Sequence, residues 1–268
     1  PFATGSNRFG IRLNDAGAMN GNVVMQSGSN MLVEGNDSFG ISLESDLIGN
    51  LTNQGTIRVI GNNSMAVRSL GTIDGTVYLG GSISTVGGGS TAIGMFGDVT
   101  GGLNIQGSIS STGYRYTSRP NDTFIANLDA DDLLQGGPAV IIAGNVAGGV
   151  TFGRPPADND ENETDEDGDG IADADEDGAQ INVFGEAPAI LVGSDTQTIT
   201  LGLAGTGDLA YGFINQGSVS AQGVYDGIEA NGIRFGLAGG QDVIIEGGIL
   251  NSGSVAALAY DANPGGVR

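Results

Sequence analysis

The sequence predicts an all-β parallel solenoid of about 26 residues per coil, and three observations predict it. The first is a repeat: residues 38–63, 64–89 and 90–115 align without a gap. The second is glycine at fixed places in each unit: the twelfth (Gly49, Gly75, Gly101), the eighteenth (Gly55, Gly81, Gly107) and the twenty-fourth (Gly61, Gly87, Gly113). The third is the alternation of apolar with polar residues between those marks. Period two is the signature of a strand, whose successive side chains point to opposite faces. Regular glycines mark corners, which they turn without a steric penalty. Short strands and corners at a fixed period describe one coil of a solenoid. A single coil cannot bury its own apolar stripe, whereas stacked coils share a continuous core.

Alternation assigns the inward residues. In the first unit they are Phe39, Ile41, Leu43, Leu47, Leu51, Ile57 and Val59. The second supplies Met65, Val67, Ile73, Val77, Leu79 and Ile83, and the third Ile93, Met95, Val99, Leu103, Ile105 and Ile109. Residues 1–37 carry a weaker copy in which Phe9–Leu13 resembles Phe39–Leu43 at an offset of 30, with extra residues expected near Asp15–Met19. Residues 116–137 break the pattern as an excursion. Asp122 is a candidate N-cap there for a short helix presenting Phe124, Ile125, Leu128 and Leu133 on one side.

The repeat resumes at Pro138 with Val140, Ile142, Val146, Val150 and Phe152, and its third face returns only at Ile181 and Val183. PAILVG at 188–193 echoes PAVIIAG at 138–144, and Ile199–Leu203, Leu209 and Phe213 continue the alternation. The run from Asn215 to Gly223 repeats that from Asn53 to Gly61, and Asn251 opens a last copy. The expected organisation is one β-helix over 1–268 with roughly eight coils, an excursion at 116–137 and an insertion at 154–178. Neither end shows an obvious polar cap of the kind terminal coils need.

Composition excludes much chemistry. The 268 residues contain no cysteine, histidine or lysine, and all nine basic residues are arginines. Thiolate and imidazole metal sites, histidine triads, the P-loop and Schiff-base lysines are thereby removed. A net charge of −22 is the opposite of a nucleic-acid binder's footprint. No stretch approaches the ~18 apolar residues of a membrane span. No signal peptide precedes the repeat, so the segment reads as a mature or processed piece.

Residues 158–177, DNDENETDEDGDGIADADED, hold 12 of the 31 carboxylates. Asp165, Asp167, Asp169 and Asp173 alternate around Gly170, with Asp175, Glu176 and Asp177 just beyond. Hard oxygens alternating on a tight turn suit Ca²⁺, which takes about six to eight ligands around a sharp glycine bend. These seven acidic residues are the candidate metal ligands, and Asp158, Asp160 and Asn162 are candidates for a second ion. The stretch fits the EF-hand expression ending at Glu176. Its flanks are not helical, however, and Ile171 follows Gly170 directly, so it resembles a thrombospondin type 3 or dockerin-type loop. The bland reading is a solvated loop extended by its own repulsion.

The N-x-G-[ST]-[VI] pattern at Asn53, Asn215 and Asn251, with glycine corners and alternating strands, resembles the passenger domain of bacterial autotransporters. That resemblance implies a right-handed parallel β-helix, in line with the general handedness of parallel crossovers. It also implies export across a bacterial outer membrane to the cell surface or medium, as a non-catalytic adhesin, stalk or scaffold. Partners would be a host surface, a glycan, neighbouring surface proteins or another copy. The family's leader and C-terminal barrel do not occur in these residues. The alternative is a self-assembling surface-layer or filament subunit. A polysaccharide lyase or hydrolase ranks below both, because its chemistry wants paired carboxylates and Asp46, Asp74, Asp98 and Glu246 are scattered singly. Arg58 and Arg68 are expected to be surface charges. The five sequons at Asn36, Asn50, Asn62, Asn121 and Asn162 receive no role, and Gly205–Asp208 is only a fragment of an RTX nonapeptide.

Overall fold

A computed structural model describes residues 5–15, 17–113, 116–155, 160, 162–165, 172 and 178–260. The 26-residue unit is one lap of backbone. The second coil comprises β5 (Phe39–Leu43), β6 (Leu47–Ile48), β7 (Leu51–Asn53) and β8 (Thr56–Ile60). The third repeats it as β9 (Met65–Ser69), β10 (Ile73–Asp74), β11 (Val77–Leu79) and β12 (Ser82–Val86). Pairing is parallel at a constant offset, Ile41 to Val67, Leu47 to Ile73, Leu51 to Val77 and Ile57 to Ile83.

Before them lie β1 (Phe9–Leu13), β2 (Met19–Asn20), β3 (Val23–Met25) and β4 (Asn30–Glu34). The partner offset falls from 30 at Leu13–Leu43 to 28 at Met19–Leu47 and 26 at Asn30–Thr56. The extra residues of this coil are therefore shared between the corner at 14–18, where they were expected, and a second corner at 26–29.

The fourth coil has β13 (Thr91–Met95), β14 (Leu103–Ile105) and β15 (Ser108–Thr112), and the fifth has β16 (Val140–Ile142), β17 (Val150–Phe152) and β18 (Gln180–Phe184). The sixth has β19 (Pro188–Val192), β20 (Ile199–Leu201), β21 (Phe213–Asn215) and β22 (Ser218–Asp226). The seventh has β23 (Asn231–Phe235), β24 (Val243–Ile245), β25 (Ile249–Asn251) and β26 (Ser254–Tyr260). Three faces are seven-stranded sheets: the first runs from β1 to β23, the third from β3 to β25, and the fourth, which holds Ile181 and Val183, from β4 to β26; the narrow face of β2, β6 and β10 is the second. The narrow face is carried through the fourth and fifth coils by single parallel bridges at Val99 and Val146. Among the described residues the count is seven coils, against the roughly eight expected. At about 4.8 Å per rung the six steps give a stack about 29 Å tall between end strands.

Burial follows the pattern with one correction. Ile41, Val67, Ile93, Val140 and Ile190 form one interior column, each fully buried. Phe39 and Met65, expected inside, are only half-buried. Ala66, Ala92, Ala139 and Ala189 are fully buried in the core instead, each beside a column residue. A side chain at Gly40 would likewise meet Ile57 Cγ2 at 2.7 Å. Two consecutive residues face inward there, and strict alternation cannot show it. Leu203 and Leu209 are also exposed, at 47% and 65%, because residues 203–211 form an outward loop closed by the antiparallel Ala204–Tyr211 bridge.

The corners explain why particular small and polar residues recur. Turning residues leave backbone N–H groups that need acceptors, and side chains of the preceding coil provide them. The Asn50 N–H donates to Asn22 Oδ1 at 2.9 Å and the Thr76 N–H to Asn50 Oδ1 at 2.9 Å. At the next corner the Asn62 N–H donates to Asn36 Oδ1 and the Gly88 N–H to Asn62 Oδ1, both at 2.8 Å. Three of the sequon asparagines are therefore rungs of corner ladders. The aligned tetrapeptides GNDS, GNNS and GGGS at 35–38, 61–64 and 87–90 carried that signal. Their serines form a buried column in which the Ser38 and Ser64 N–H groups donate to Ser64 and Ser90 Oγ. Gly61 is required twice over: its φ is +152° and an added Cβ would fall on the Gly35 carbonyl.

The excursion contains α1 (Asp122–Ile125), capped by Asn121, not Asp122: Asn121 Oδ1 accepts from the Phe124 N–H at 2.9 Å. Ile125 and Leu128 pack against Val224 and Tyr225 of the sixth coil, while Phe124 and Leu133 stay exposed. Arg119 ties the segment down through an ion pair with Asp226 at 2.9 Å.

Candidate functional site

The acidic insertion springs from one corner. The Ala179 N–H donates to the Gly153 carbonyl at 2.8 Å, so its two roots touch. Gln106 Nε2 also holds the Arg154 carbonyl at 3.3 Å. Of the seven candidate ligands of the first calcium ion only Asp165 lies among the described residues; Asp167, Asp169, Asp173, Asp175, Glu176 and Asp177 lie outside them, as does Asp158 of the second set. Asp160 Oδ1 accepts the backbone N–H of Asn162 at 3.0 Å and its Nδ2 at 2.9 Å, and these bonds hold the Asp160 carboxyl below its ordinary range. Among the described residues no three acidic side chains gather in a metal-sized cluster.

Two of the acids scattered singly in the sequence have partners. Asp46 Oδ1 accepts from the Thr72 N–H, and Asp98 Oδ1 from the Asn145 N–H, both at 2.8 Å. Asn145 Oδ1 passes the ladder on to the Thr200 N–H at 2.8 Å. The signature asparagines share one column at the end of the third face, Asn53 and Asn215 fully buried and Asn251 exposed: Asn53 Nδ2 donates to the Gly55 carbonyl across its corner, and Asn215 Nδ2 to Asn251 Oδ1 at 2.7 Å. Their recurrence is corner chemistry.

A charged cluster on the first face was missed from sequence. Glu44 bridges two arginines from neighbouring coils, Arg12 Nη2 at 2.7 Å and Arg68 Nη2 at 2.6 Å. The guanidinium of Arg68 lies 3.7 Å from the Phe39 ring centroid, and Phe39 stacks on Phe9 at 5.3 Å. Phe39 thus lies outside the core, between Arg68 and Phe9. The Arg12 hydrogen bond is the main reason the Glu44 carboxyl lies below its usual value, despite the opposing cost of burial. Arg68, expected as a free surface charge, has a side chain only 17% exposed.

The third face carries a groove of about 570 Å³. Because inward residues alternate with outward ones, each coil contributes one outward side chain at mid-strand: Val24, Thr52, Tyr78, Asn104 and Thr151, in register from rung to rung. The corner residues Asn50 and Thr76 form one wall, and Gly102, Gly148 and Gly149 leave that wall low. The Tyr78 ring lies flat because Gly80 offers no side chain; a Cβ there would meet its Cε1 at 2.5 Å and its Oη at 2.7 Å. Asn104 Oδ1 is buried and has no hydrogen-bond partner among the described residues. Among the described residues no helix is long and apolar enough to cross a membrane. No family model, no curated protein and no solved structure matches this chain.

Proposed function

We propose that the chain is a non-catalytic surface or secreted solenoid acting as an adhesin, stalk or scaffold, with calcium held in its acidic insertion. The observation that carries this reading is the seven-rung stack itself. Its faces present side chains at one-coil intervals along an extended body, a geometry suited to contact with extended surfaces. The insertion supports the calcium part: 12 carboxylates between two roots in hydrogen-bond contact would repel strongly without a cation. The autotransporter-like pattern supplies the expectation of export.

Protease treatment of intact cells producing the protein tests the location: an exported solenoid is cut or shed, and protection until the cells are lysed would contradict it. Terbium luminescence and calorimetry test the metal. Binding abolished by Asp167→Ala with Asp169→Ala is expected, and no response in millimolar calcium would retire it. A second reading, a self-assembling layer or filament subunit, is favoured by the stacking itself, in which each coil pairs edge to edge with the next in constant parallel register. Exposed strand edges template further pairing. Light scattering that rises with calcium would favour that reading over a monomeric stalk.

A further inference from the structure

We infer that the third-face groove is a binding site for a single linear chain of a neutral polysaccharide. The inference rests on the adhesin reading for its purpose, but its evidence is the groove. The first observation is charge: among the described residues that line it, none is charged, in a chain of net charge −22. The acidic insertion leaves the same coil at Gly153, two residues beyond the groove residue Thr151. A polyanion would be repelled there, and a cation would find no counter-charge in the groove itself. A hydroxyl-rich neutral ligand pays no ion desolvation and asks only for paired donors and acceptors.

The second observation is that donors and acceptors are what the groove offers. Thr52, Asn104 and Thr151 present hydroxyl, amide and hydroxyl on successive strands around the flat-lying Tyr78, with Asn50 and Thr76 along the wall. Amides and hydroxyls both donate and accept, which matches vicinal sugar hydroxyls. The third observation is period. The outward side chains recur every coil, about 4.8 Å apart, so Val24 to Thr151 spans about 19 Å in four steps. A linear glycan laid along the stack also repeats along one axis, so its hydroxyls would meet Thr52, Asn104 and Thr151 rung by rung around Tyr78. The volume falls within the usual range of small-molecule clefts, about 300–1,000 Å³. Cleavage is not part of the proposal, since glycoside hydrolysis needs a carboxylate pair and no lining residue is acidic.

Saturation-transfer NMR and calorimetry on the whole chain test this, with hexasaccharides of the cello, xylo, manno, malto and chito series as probes and oligogalacturonate as the acidic comparison. At least one neutral series is expected to bind with a Kd in the micromolar-to-millimolar range, and oligogalacturonate not to bind. Gly102→Trp obstructs the groove at little backbone cost, because a side chain there meets only the Gly148 and Gly149 carbonyls, at 3.4 and 3.9 Å. It is expected to weaken binding about tenfold or more, as is Thr52→Glu, which places a charge on the floor. Ser84→Trp, on the outer side of the fourth face, is expected to change nothing. Binding of none of the neutral series, preference for the acidic oligomer, or binding indifferent to both groove variants would overturn the assignment. Should the sugars fail while intact cells still lose the protein to protease, only the groove assignment falls. Protection from protease with sugar binding intact would remove the surface reading alone.

Discussion

Replacing Ile93 by alanine tests whether residues 26 positions apart stack in one core. Ile93 is fully buried in the fourth coil, with Val67 below it and Val140 above. The change removes three carbons, worth about 2.4 kcal/mol at roughly 0.8 kcal/mol each. With the cavity left in a rigid stack the loss should lie at about 3–4 kcal/mol, inside the ~2–5 range for such truncations. Val67→Ala removes two carbons, about 1.6 kcal/mol by transfer alone. The two sites share a cavity wall, so the double variant should depart from additivity by at least about 0.5 kcal/mol. Val67 with Ile190 is the comparison pair. These lie three rungs apart in the same column, about 14 Å, and should add within about 0.5 kcal/mol. Urea unfolding followed by circular dichroism supplies the midpoints, at a common slope. A loss below about 0.5 kcal/mol for Ile93→Ala, or equal coupling in both pairs, would refute the stacking argument.

Other outcomes follow from the same contacts. Gly81→Ala should cost about 1–3 kcal/mol or more, since its Cβ would fall on the Gly55 carbonyl; Gly102→Ala meets only contacts of 3.4 Å and beyond and should be neutral or stabilise by about 0.4–1 kcal/mol. Thermal melts of the two variants should move in opposite directions or by clearly unequal amounts. Asn62→Ala removes the acceptor of the Gly88 N–H and should cost about 1 kcal/mol, read as a shift in urea midpoint. Glu44 has a depressed folded pKa, so its contribution is complete above the ordinary carboxylate range and is lost as pH falls through the folded value. Glu44→Gln should therefore be less stable than the parent at neutral pH, with the gap closing on acidification; a gap constant with pH would contradict the Arg12–Glu44–Arg68 bridge.

How much was legible in the sequence depends on what set each feature. The coils were legible because a constant offset of 26 carries both glycines and apolar residues, and register alone then fixes which side chains meet. The inward alanines were not, because Ala66 reads as a neutral gap between Met65 and Val67, and only the packed core shows it buried beside Val67. Asn36 and Asn62 looked like chance sequons because their partners are backbone N–H groups a full lap away. Leu209 continued the alternation on paper, yet its loop has no rung to sit on. The groove was invisible for a different reason: Thr52, Tyr78, Asn104 and Thr151 share no motif, and only the stacking register brings them into line. Glu44 joins Arg12 and Arg68 by the same register.

The central claim is that each lap lies directly over the last, and paired spin labels measure it most directly. The chain has no cysteine, so labels can be placed cleanly on the outward column of the fourth face, where Arg58, Ser84, Ser110, Asn182, Ser220 and Ala256 follow rung by rung. Electron–electron distances from Arg58 should rise by about 4.8 Å per rung, to about 19 Å at Ser220 and about 24 Å at Ala256 after allowance for the labels. Distances that track separation in sequence, or that fail to rise with rung number, would contradict the stacked solenoid.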